Sequence, residues 1–139
     1  MAIQQTLTTS FKQQILQAQQ DLSTDTLKLA LYTGLATLGP STTVYDTSYE
    51  VVGTGYTAGG IVLTGITIST SAKGVVYVDF DNAVWNPAAF TCRGGLIYNA
   101  SKGDKSVAVL DFGADKTCLN TFTVQMPENT ATSALLRFN

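Results

Sequence analysis

Residues 53–60 read Gly-Thr-Gly-Tyr-Thr-Ala-Gly-Gly, and glycine-rich loops of this kind are one way a fold cradles a phosphate. A P-loop needs Gly-x4-Gly-Lys-Ser/Thr opening a helix, and a dinucleotide loop needs G-x-G-x-x-G between a strand and a helix. Here the order is G-x-G-x-x-x-G-G, no lysine follows, and the next residues, Ile61-Val62-Leu63-Thr64, have strand character. Neither phosphate motif is met. The glycines are expected to supply positive φ in a tight loop, at Gly55 or Gly59, with Tyr56 either anchoring the loop or standing out as a contact.

The rest of the chain offers little to catalysis. It contains no histidine, so Ser-His-Asp and Cys-His arrangements cannot be built and the commonest transition-metal ligand is missing. Cys92 and Cys118 lie far apart in sequence and are expected as two part-buried thiols. Asp111-Phe112-Gly113 matches the kinase magnesium triplet, but no catalytic loop precedes it. Asp79 and Asp81 project from one side of a strand, as the carboxylate pair of a glycosidase or a sugar-binding module could. Their positions, with Asp111, read as turn-starting residues instead. No cofactor or metal is implied, and no Asp-x-Asp-x-Asp-Gly spacing marks a calcium loop.

The elements that must carry these residues follow from composition and period. At 139 residues the chain fits one domain. Its charged fraction of 13%, about half the usual share, leaves a hydroxyl-rich surface suited to being covered by neighbours. With a net charge of −2 and no basic stripe, nucleic-acid binding is not expected. No stretch reaches the roughly 18 apolar residues of a membrane span, and residues 1–9 lack the pattern of a signal peptide, so synthesis in a cytoplasm is expected. Phe11, Ile15, Ala18 and Leu22 recur at helical spacing, predicting one amphipathic helix over 10–22, with Ser10 and Gln13 as its capping box and the glutamines on its solvated face.

From residue 26 onward the period changes to two. Leu27, Leu29 and Leu31 alternate with Lys28, Ala30 and Tyr32, predicting a strand with one core-facing side. A long loop spans 35–60, and six further segments rich in β-branched and aromatic residues begin at Ile61, Gly74, Ala89, Lys105, Asn120 and Ser133. With no helices between them, the expected class is mainly β, an antiparallel sandwich or jelly roll over 26–139. The expected core includes Val62, Ile66, Ile68, Val76, Val78, Phe80, Trp85, Leu96, Ile97, Val107, Val109, Phe122, Val124, Leu135 and Phe138.

Taken in order, "LKLALYT", "GTGYTAGG", "RGGLIYN" and "AVLDFG" resemble a family of small proteins encoded among the virion-structure genes of tailed bacteriophages, and the likeness runs over nearly the whole chain. What the resemblance implies is a non-enzymatic virion protein made in the cytoplasm of a bacterial host, in first place a capsid cement (decoration) protein. Its partner would then be the major capsid protein, with homo-oligomers on the shell. A tail component such as a collar, adaptor or fibre-attachment protein is the alternative. No contact residue is carried over from the family. On this chain the candidate contacts are the arm over 1–9, the 35–60 loop and its tyrosines Tyr45, Tyr49 and Tyr56.

Overall fold

The computed structural model describes residues 2–126 and 135–138. The chain is mainly β, with antiparallel sheets and one helix near its start. The strands are β1 (Thr6–Leu7), β2 (Leu27–Tyr32), β3 (Ile61–Val62), β4 (Thr67–Thr70), β5 (Val76–Asp79), β6 (Ala83–Trp85), β7 (Phe90–Asn99), β8 (Lys105–Cys118), β9 (Phe122–Val124) and β10 (Leu136–Phe138), and the helix is α1 (Thr9–Leu16). They form a five-stranded sheet in the order β1-β8-β7-β2-β3, a three-stranded sheet β10-β5-β4 and a pair β6-β9. The strands expected from Asn120 and Ser133 extend at one or both ends into positions 127, 133, 134 and 139, which lie outside the described residues, as does Met1 of the arm.

The large sheet is buried on both faces. Leu27, Leu29 and Leu31 of β2 join Ile97, Val107 and the residues of the smaller sheets, Val78, Trp85, Val124 and Leu136, in one core, giving a sandwich-like layering. The alternate residues Ala30 and Tyr32, with Leu96, Tyr98 and Val109, form a second core covered by Ala36, Leu38 and Tyr45. The long segment after β2 thus roofs the sheet. It accounts for the burial of Ala30 and Tyr32, which the two-residue period alone assigns to solvent.

Several expectations are corrected. The helix runs over eight residues, Thr9–Leu16. Its N-cap is Thr8, whose Oγ1 accepts from Phe11 N at 3.3 Å, and Ser10 lies inside the first turn. It stops early because Ala18 takes a left-handed φ of 58°, while Ala18 N donates to Ile15 O and Gln19 N to Gln14 O, the paired bonds of a Schellman end. Leu22 still reaches the core, but from a turn, and Gln20 is buried instead of solvated. Residues 6–7 of the arm are a strand, because β1 pairs with β8 through Thr6↔Val109 and Leu7↔Ala108.

The segments from Ile61 and Gly74 each break into two strands belonging to different sheets. The two breaks lie against each other: Asp81 N donates to Thr64 O at 2.8 Å, and a Cβ on Gly65 (φ 64°) would fall 2.3 Å from the Asp81 carboxylate. Val62, Ile68 and Val76, expected in the core, are 49%, 47% and 38% exposed: Val62 and Ile68 lie on the edge strands β3 and β4, and Val76 is the first residue of β5.

Candidate functional site

The segment over 35–60 holds all three candidate tyrosines, and the structure separates them. Tyr56 turns inward. Its hydroxyl accepts from Leu31 N at 2.9 Å and donates to Glu50 Oε2 at 2.5 Å, while its ring packs on Trp85 and Phe90. Tyr45 is half-buried, stacked on Tyr98 with centroids 4.6 Å apart, and donates to Glu50 Oε1 at 2.7 Å. Tyr49 points outward, 49% exposed.

Glu50 is the centre of this arrangement. Buried to 7% exposure, it accepts from both tyrosines and from Gly59 N at 2.8 Å, so each carboxylate oxygen is engaged. Tyr98 completes the knot by donating to Gly59 O at 2.6 Å. Burial pushes the Tyr56, Tyr45 and Tyr32 phenols well above their ordinary range and Tyr98 up to about 12, so all four stay neutral donors at physiological pH. Sequence reasoning missed Glu50. Its one signal is that it is the only carboxylate between Asp46 and Asp79, set among three tyrosines.

The glycine octet packs directly on backbone. Gly55, Gly59 and Gly60 have φ of 81°, 100° and 82°. A Cβ would lie 1.8 Å from Pro87 O at Gly55 and 1.9 Å from Leu29 O at Gly60. The octet is a close-approach loop, latched by Tyr56 to the edge of β2.

The other candidate groups hold structure. Asp79 Oδ1 accepts from Phe80 N, Asp81 Oδ2 from Thr64 Oγ1, and Asp111 Oδ1 from Gly113 N. Cys92 and Cys118 are both buried free thiols, and burial drives the Cys92 thiol up to about 12, far from a reactive thiolate. Among the described residues no three His, Cys, Asp or Glu side chains converge, and no helix is long and apolar enough to cross a membrane.

Among the described residues, two concave surfaces stand out by volume. The first is a bowl of about 420 Å³ over residues 32–49, with Tyr49 and Asp46 among its walls. The second is an apolar groove of about 540 Å³ between α1 and the three-stranded sheet, lined by Phe11, Ile15, Leu22, Ile68, Val76 and Phe138 among others. They belong to different cores: the groove's Phe11, Leu22 and Val78 to the first, and the bowl's Tyr32, Ala36 and Leu38 to the second. The large sheet therefore separates them. No family model, no curated protein and no solved structure matches this chain.

Proposed function

We propose that this chain is a non-enzymatic structural protein of a tailed-bacteriophage virion, and within that class a capsid cement protein docked on the shell in many copies. The observation that carries this reading is the apolar groove between α1 and the β10-β5-β4 sheet. Ile68 and Val76 of its lining are partly exposed, and contiguous apolar surface of this kind is what a protein covers with a partner. The family resemblance supplies the partner's class, the major capsid protein. A surface of few charges favours crowded, repeated contact, because like-charge repulsion between copies is small, and repetition turns modest affinity per contact into a firm lattice.

The use of the buried polar groups supports a role without catalysis. Glu50, Asp79, Asn99, Gln20 and Ser106 each hold backbone or another side chain, and no buried side-chain donor or acceptor lacks a partner among the described residues. The deciding experiment is a copy count by quantitative mass spectrometry of purified particles. A cement protein tracks the major capsid protein in number, and its removal lowers the temperature at which shells release DNA. A handful of copies per particle would transfer the assignment to the tail, and absence from particles would end both.

A further inference from the structure

We propose that the bowl over residues 32–49 is a binding site for a neutral saccharide ring. It lies across the large sheet from the apolar groove, so it does not depend on the virion assignment. At about 420 Å³ it falls within the range of small-molecule sites, about 300–1,000 Å³.

The lining selects the ligand. Ser41, Thr43 and Ser48 bring hydroxyls to the walls, Asp46 brings a carboxylate, and neither lysine nor arginine takes part. A phosphate, sulfate or nucleotide would meet Asp46 with no compensating cation. Hydrogen bonding to Ser48 holds the Asp46 carboxyl below the usual carboxylate range, so that charge persists at neutral pH. A wholly apolar ligand would strand the hydroxyls without partners. A sugar satisfies both demands: its hydroxyl edge meets Asp46 and the serine and threonine oxygens, and its C–H face packs on an aromatic ring.

Tyr49 is that ring, and the backbone holds it in place. It is half exposed beside Asp46 and sits at a left-handed φ of 63°, a conformation that costs a bulky L-residue energy. Tyr49 O accepts from Thr33 N at 3.0 Å, and Glu50 N donates to Thr47 O at 3.1 Å, fixing the turn. Asp46 is pinned on both sides. Its Oδ1 accepts from Ser48 N at 2.6 Å and its carbonyl from the Tyr32 hydroxyl at 2.6 Å, which ties the wall to β2. A binding surface ordered in advance loses little freedom on binding.

The test uses the full chain labelled with ¹⁵N and titrated with maltotriose, cellotriose and chitotriose, and with glucose and N-acetylglucosamine. At least one is expected to shift amides confined to residues 36–50, with a preference for the trisaccharide marking a polymer-borne ligand and equal binding of the free sugar marking a soluble one. Tyr49→Gly removes the ring and relieves the left-handed strain, so its melting temperature should not fall while affinity drops about tenfold or more. Asp46→Asn keeps the turn and should weaken binding with the fold intact. The proposal is overturned if none of the five sugars shifts these amides. It is equally overturned if Tyr49→Gly binds as well as wild type, or if a sulfated oligosaccharide binds more tightly than its neutral counterpart.

Discussion

Gly55 and Gly59 have similar backbone angles but different surroundings, and the difference is measurable. At Gly55 any side chain collides with Pro87 O, whereas at Gly59 the nearest atoms to an added Cβ are Lys28 Nζ at 3.3 Å and the Tyr98 hydroxyl at 3.4 Å. Urea denaturation should therefore show Gly55→Ala losing about 3 kcal/mol or more, by strain plus displacement of the 87–88 backbone, and Gly59→Ala about 1–2 kcal/mol, mostly strain. Gly113, with φ 80° and open space around it, marks the strain-only cost of about 1 kcal/mol. Equal losses at Gly55 and Gly113 would mean that the octet does not press on the 87–88 backbone. The tyrosines give a second residue-scale test. Tyr98 has a folded pKa of about 12, above the ordinary value of 10.0, and Tyr32, Tyr45 and Tyr56 are shifted the same way. Their stabilisation is complete below pH 10 and is lost as pH rises through the folded values, because only the unfolded chain releases those protons early. Ionisation of these four tyrosines, followed by tyrosinate absorbance, should therefore coincide with the loss of circular dichroism above pH 10. Ionisation of Tyr45, Tyr56 and Tyr98 before unfolding would contradict the Glu50 knot.

At the scale of elements, α1 shows what a sequence pattern conveys and where it stops. Phe11 and Ile15 pack as their spacing predicts, and Leu22 is buried as well, yet the helix ends at Leu16 because hydrogen bonds around Ala18 close it. Periodicity reports which side chains seek the core; it is silent on a Schellman end built without glycine. Ala18→Gly should relieve the left-handed strain and raise stability by about 0.5–1 kcal/mol. Thr8→Ala should cost about 1–2 kcal/mol, since Thr8 caps Phe11 N and receives the Ser106 hydroxyl at 2.9 Å. Ser10→Ala should cost less than Thr8→Ala, and the reverse order in thermal melts would restore the capping box to Ser10. The strands follow the same logic. β2, β7, β8 and β9 were legible as β-rich runs bounded by turn residues, and the positive φ of Gly55 and Gly59 was legible from glycine spacing. The split of residues 61–70 between two sheets was not, because it depends on the 63–66 and 80–82 corners meeting through Asp81 and Gly65, a contact between distant parts of the chain. For the same reason Tyr45 and Tyr56 could be picked out as notable but not told from Tyr49: the distinction rests on Glu50 and on Leu31 N, which the fold alone brings within reach.

In the whole molecule, the large sheet divides a tightly bonded face from an open one. On one side residues 36–49 cover the sheet, fastened through Tyr45 to Glu50 and Tyr98, and form the hydroxyl-lined bowl. On the other, among the described residues, the β10-β5-β4 sheet and α1 converge without closing over Ile68 and Val76. Under the proposed capsid role, the groove is the face expected to dock on the shell. Ile68→Lys places a charge there at a site already 47% exposed, so the isolated protein should melt within a few degrees of wild type. Burying that lysine against a shell subunit would strand an unpaired charge, and the copy number on particles should fall about tenfold or more. Val84→Lys, at a site 42% exposed on β6 and outside the groove lining, is the matched control and should be incorporated normally. If both variants load onto particles at wild-type number, the groove is not the docking face. If both fail equally while folding normally, the contact extends over the β6 side as well, and the charge-poor surface as a whole, more than the groove, carries the attachment.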